Sequence, residues 1–82
     1  MVSTDRLILR LLSLERTFTW EDLETLLGRL GYRRQEGRGS RVKFTNGNSR
    51  QLINLHRPHP GNELKRYARR QIIEKLEDGG LI

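Results

Sequence analysis

Two histidines, His56 and His59, stand in the run His56-Arg57-Pro58-His59-Pro60, and cysteine is absent from all 82 residues. Imidazole both takes and gives a proton near neutrality, so acid–base chemistry in this chain would fall to that pair. A second run, Gly39-Ser40-Arg41-Val42-Lys43-Phe44, supplies fixed positive charge. Arg41 cannot serve as a base because a guanidinium does not deprotonate. Together with Lys43 it can neutralise charge growing on a transferring phosphate. Gly37, Arg38, Gly39 and Ser40 could bring backbone N–H groups close to a phosphate, a composition that an ordinary turn shares. Two histidines separated by two residues also raise the question of a metal. With no cysteine and no neighbouring carboxylate, no ligand set closes, so neither metal nor cofactor is expected.

Both runs lie in the most basic part of the molecule. From Arg29 through Arg70 there are twelve Lys/Arg against two acids, Glu36 and Glu63, while residues 1–28 and 71–82 are each mildly acidic. Charge serving solubility alone would be spread over the surface; charge gathered in one region predicts a polyanion partner, RNA or DNA. Thirteen of the sixteen cations are Arg, the side chain that forks onto phosphate oxygens and stacks on bases. The absence of cysteine excludes a disulfide framework and a thiol nucleophile. The apolar run from Leu7 to Leu14 is interrupted by Arg10 and is too short to span a bilayer. It lacks a small-residue cleavage site as well, so a cytoplasmic chain with no membrane partner is expected.

At this length the chain has room for one domain, 1–82. Thr4-Asp5 caps a helix over about 5–15 carrying Leu7, Ile8, Leu11, Leu12 and Leu14. Thr19 followed by Asp22 resembles a capping box, and Leu23, Leu26, Leu27 and Leu30 give a helix over 20–30 that stops at Gly31. Strand-like segments follow at Tyr32–Gln35, Arg41–Thr45 and about Asn48–His56. Asn62 reads as the cap of a closing helix over 63–78, with Leu64, Ala68, Ile72 and Leu76 as its apolar stripe and Gly79-Gly80 as its end. Trp20 and Tyr32 are expected in the core.

Asn46-Gly47 is the strongest hairpin signal in the chain and predicts a two-residue turn. That turn would pair Thr45 with Asn48, Phe44 with Ser49, Lys43 with Arg50, Val42 with Gln51 and Arg41 with Leu52. Val42, Phe44, Ile53 and Leu55 then share an apolar face. Arg41, Lys43, Thr45, Arg50, Asn54 and His56 share the other, with Leu52 as its one apolar member. The opposed cations Lys43 and Arg50 would favour an anion between them. His56 would end its strand on the basic face, near Gly37–Ser40. The fold class expected is α+β, an antiparallel three-stranded sheet with helices on one face.

With Gly39-Ser40 between two strands, a histidine-proline after the third and a closing amphipathic helix, the chain resembles the HicA family of bacterial toxins. The resemblance runs from about Phe18 to Leu81. It includes Trp20-Glu21-Asp22-Leu23 through Leu30-Gly31, Gly39-Ser40-Arg41-Val42, His56-Arg57-Pro58-His59-Pro60 and Leu76–Leu81. It implies a double-stranded-RNA-binding-domain-like α-β-β-β-α core at 18–82, with residues 1–16 as an N-terminal helical extension. It also implies an mRNA interferase held inactive by a HicB-like antitoxin. Typical members carry their catalytic histidine directly after Gly-Ser; here that position is Arg41.

Metal-independent RNA hydrolysis needs a base for the 2′-hydroxyl, an acid for the leaving oxygen and positive charge at phosphorus. His56, His59 and Arg41 are the candidates for those roles, His56 first. Arg38, Arg41, Lys43, Arg50, Arg57, Lys65, Arg66 and Arg69 are the expected RNA contacts. A non-catalytic RNA-binding module of the same fold is the alternative. A winged-helix DNA binder ranks last, because no recognition helix separates the second helix from the hairpin.

Overall fold

The computed structural model describes residues 2–82. In chain order it contains α1 (Thr4–Leu12), α2 (Trp20–Arg29), β1 (Arg33–Glu36), β2 (Arg41–Thr45), a 3-10 turn at Ser49–Gln51, β3 (Ile53–His56) and α3 (Arg66–Asp78). The strands form one antiparallel sheet in the order β1-β2-β3, and the helices cover one of its faces. This is the α+β architecture expected, an α-β-β-β-α core preceded by one further helix.

Local chemistry explains most boundaries. Ser3, not Thr4, caps α1, its Oγ accepting from the Arg6 N–H at 3.2 Å. At α2 the capping box is complete: Thr19 Oγ1 accepts from Asp22 N–H, and the Asp22 carboxylate accepts from Thr19 N–H, both at 3.1 Å. The helix ends in a Schellman motif. Tyr32 N–H donates to Leu27 C=O and Gly31 N–H to Gly28 C=O, with Gly31 at φ +92°. The same motif closes α3, through Leu81 to Leu76 and Gly80 to Glu77, with the positive φ at Gly80.

Three expectations about boundaries are corrected, the first being the third strand, which begins at Ile53 rather than near Asn48 because Ser49–Gln51 form the 3-10 turn. Helix α1 stops at Leu12 rather than running to residue 15. Helix α3 starts at Arg66, because residues 62–64 are extended and pair with 18–20. Trp20 N–H donates to Asn62 C=O and Leu64 N–H to Phe18 C=O, at 2.7 and 2.9 Å. Those backbone bonds and the burial of Leu64 outweigh the capping preference of Asn62, whose side chain reaches Glu21 instead.

The hairpin register is also corrected. Phe44 pairs with Ile53, Lys43 with Asn54, Val42 with Leu55 and Arg41 with His56, a shift of four residues from the tight-turn pairing. The favoured two-residue turns need positive φ at the first central position, which Asn46 lacks; only Gly47 has it. Local side-chain bonds build a longer loop: Asn46 Oδ1 accepts from Asn48 N–H, and Asn48 Oδ1 from Arg50 N–H, each at 3.0 Å. The gain is apolar. Phe44 lies opposite Ile53 instead of Ser49, and Val42 opposite Leu55 instead of Gln51. A shift of four preserves the two faces, so Val42, Phe44, Ile53 and Leu55 are buried as expected. The Lys43–Arg50 opposition does not exist.

The core lies between that sheet face and the helices, with Leu11, Phe18, Leu23, Leu26, Leu27, Ile53, Ile72 and Leu76 fully enclosed. Trp20 and Tyr32 belong to it, and Leu7 and Leu11 bring α1 into the same cluster.

Candidate nucleic-acid interface

The sheet face away from the helices is polar, since residues alternate sides along each strand. β1 pairs Arg33 with Thr45 and Gln35 with Lys43, and β2 pairs Lys43 with Asn54 and Arg41 with His56. Arg33, Gln35, Arg41, Lys43, Asn54 and His56 are exposed and share this face. Arg33 and Gln35 were not singled out from the sequence. The alternation of β1 was the available signal, since Arg34 and Glu36 face the other way and Arg34 pairs with Glu24 of α2. A depression of about 380 Å³ lies among Gln35, Arg38, Arg41, Lys43 and Asn54.

The link between β1 and β2 sets the position of His56. Gly37 N–H donates to Arg41 C=O at 2.9 Å, Arg41 N–H to Arg38 C=O at 3.2 Å, and Gly39 turns the chain at φ +61°. Across the sheet, Arg57 N–H donates to Ser40 C=O at 2.7 Å. This holds Ser40 beside His56, with Ser40 Oγ 3.3 Å from His56 Nδ1. A hydroxyl can donate to or accept from a ring nitrogen, so the contact suits either tautomer and orients the ring. The structure therefore brings Ser40, Arg41 and His56 together at one end of the sheet.

A groove of about 600 Å³ starts at His56 and follows the 57–65 loop to the first turn of α3. His56, His59, Lys65 and Tyr67 all line it, so both histidines open onto one space. Tyr67 was not anticipated; its only sequence signal was an aromatic residue set one position off the apolar stripe of α3.

The remaining expected RNA contacts divide. Arg38, Lys65 and Arg66 are exposed. Arg57 follows the end of β3 and is held on the helix side. Its guanidinium lies 5.6 Å from the centre of the Trp20 ring and 3.4 Å from the Glu36 carboxylate. Arg50 is exposed but lies in the 3-10 turn outside the sheet, and so does not face Lys43.

Arg69 is a correction. It is 3% exposed and points inward, where its guanidinium donates to the carbonyls of Arg10, Leu11, Ser13 and Arg16. Helix ends leave carbonyls without partners, and a cation there also meets the favourable end of the helix dipole. Arg69 satisfies the end of α1, so it is not a surface contact. Burial lowers its pKa, with the nearby Arg66 charge adding to the effect.

Among the described residues, no three His, Cys, Asp or Glu side chains are close enough to hold a metal ion. None of the helices is long and apolar enough to cross a membrane.

Fold and site together define a small α+β protein with an open, cationic sheet face ending at a histidine. Residues 20–78 match the family model described as HicA toxin of bacterial toxin-antitoxin, and the chain belongs to that family. Membership makes it the toxin component of a toxin–antitoxin system, with a cognate antitoxin as partner. No curated protein and no solved structure matches it.

Proposed function

We propose that this toxin is an endoribonuclease that cleaves mRNA on the outer sheet face by metal-independent acid–base catalysis. The observation that carries the reading is the pairing of Arg41 with His56 across the sheet, with Ser40 Oγ against His56 Nδ1. His56 takes the proton of a ribose 2′-hydroxyl. The resulting oxygen attacks the adjacent phosphorus, the bond from phosphorus to the 5′ oxygen breaks, and His59 protonates that leaving oxygen. The products are a 2′,3′-cyclic phosphate and a 5′-hydroxyl. Arg41 and Lys43 stabilise the charge that builds on the non-bridging oxygens. In this arrangement Arg41 follows Gly39-Ser40 directly, and the acid–base histidine is the residue opposed to it on the neighbouring strand.

Arg33, Arg38, Arg41 and Lys43 hold the RNA phosphates, and Lys65 and Arg66 continue the track. A HicB-like antitoxin with an acidic surface would block the toxin by covering this face, since like-charged partners compete for the same cations. RNA as substrate places the protein's work in the cytoplasm. Incubating the purified protein with mRNA in chelator tests the reading. Cleavage leaving a cyclic phosphate is expected, and His56→Ala should lower its rate by about 100-fold or more. Unchanged cleavage in that variant would remove His56 from the mechanism. RNA binding with no cleavage by the unaltered protein would leave a non-catalytic binding module.

A further inference from the structure

The aromatic side chains fall into two groups. Phe18, Trp20, Tyr32 and Phe44 are at most 6% exposed, whereas Tyr67 is 69% exposed. Nothing in the core requires an aromatic there, because Ala68, Ile72 and Leu76 already supply the buried side of α3. Tyr67 lies in the first turn of α3 and lines the groove that His56 and His59 also line. The other charged groups on that groove are Arg57, Lys65 and one acid, Glu63. Arg57 is engaged by Glu36 and Trp20, while Lys65 makes no ion pair among the described residues.

The geometry points to Tyr67 as the stacking platform for an unpaired nucleobase of single-stranded RNA, whose backbone passes Lys65 on its way to His59 and His56. This inference rests on the ribonuclease reading above and adds what that reading leaves open, the strandedness of the substrate. A base inside a duplex already has both faces stacked on its neighbours. Only a base without a paired neighbour on one side can lay its face on an exposed ring, so Tyr67 selects unpaired RNA at that nucleotide. Because every base has a π face, such stacking discriminates strand form rather than sequence. Lys65 holds the adjacent phosphate, and the groove leads the chain from the ring to the two imidazoles.

Binding of the full chain to 2′-O-methyl RNA tests this, since strands lacking the 2′-hydroxyl stay intact during the measurement. The probes are a fluorescein-labelled single strand, a duplex of the same sequence, and an abasic oligomer of equal length. Tyr67→Ala should weaken single-strand binding by about 5- to 150-fold, the range for losing one base–aromatic stack. Tyr67→Phe should bind as the unaltered protein does. Abasic and duplex probes should bind Tyr67→Ala and the unaltered protein alike. The ring is on the surface, so thermal unfolding of the variant should be unchanged, which keeps the comparison clear of folding. Equal single-strand affinity with and without the ring would overturn the inference, as would an equal loss on the abasic probe. RNA cleaved normally by Tyr67→Ala at low concentration would sink this inference alone; failure of every RNA probe to bind would sink the ribonuclease reading with it.

Discussion

His56 and Tyr32 show how one side chain's surroundings decide its use. His56 is exposed at a strand end with Ser40 Oγ against its Nδ1, and in the proposed mechanism the other ring nitrogen takes the substrate proton. Tyr32 is enclosed, and its hydroxyl donates to Gln51 C=O at 2.9 Å. Burial raises the Tyr32 phenol above its ordinary 10.0. Above that pH the folded state holds a proton that the unfolded chain has released, so stability falls as pH rises through the raised value. Below the ordinary 10.0 the contribution is complete. Urea unfolding should show no decline from this group up to about pH 10 and a decline above it, which Tyr32→Phe should remove. At neutral pH that variant should lose about 1 kcal/mol, the net worth of one hydrogen bond.

Among the elements, α1 is the one held by an unusual device. It precedes the residues matched to the family, yet Leu7 and Leu11 enter the common core and Arg69 of α3 binds its terminal carbonyls. Arg69→Met would leave those carbonyls without their donor, that of Leu11 buried and the others partly so. A loss of about 3 kcal/mol is expected, with a drop of about 10 °C or more in Tm. RNA affinity per folded molecule should not change, which separates Arg69 from the surface cations. Thermal unfolding and binding, measured on the same variant, check both halves. The hairpin loop makes the complementary point: its local turn preference yielded to the opposed pairs Phe44–Ile53 and Val42–Leu55, a non-local apolar gain.

At the scale of the whole molecule, the net charge of +6 comes from residues 29–70, since both flanking segments are mildly acidic. Sheet twist and strand alternation bring Arg33, Arg41 and Lys43 onto one open face beside the Arg38 loop. If these four cations and the Lys65 and Arg66 of the proposed track each neutralise one phosphate, log affinity for single-stranded RNA should fall against log salt with a slope of about −4. Replacing Lys43 by Gln should reduce that slope by about 0.7, whereas replacing Arg69 should not touch it. A slope near zero would mean that the face does not carry the phosphates.

Periodicity and composition alone established the element types, the α+β class, the two faces of the hairpin and the basic middle of the chain. These are local or averaging properties: Leu spacing, the Thr19–Asp22 box and strand alternation do not depend on distant contacts. Tertiary structure decided the rest. It set the register that puts His56 opposite Arg41, since two apolar pairs outweighed one turn preference. It turned Arg69 inward, because the carbonyls it satisfies belong to a helix more than fifty residues away. It also left Tyr67 on the groove of the histidines, an adjacency that exists only once the 57–65 loop and α3 have packed.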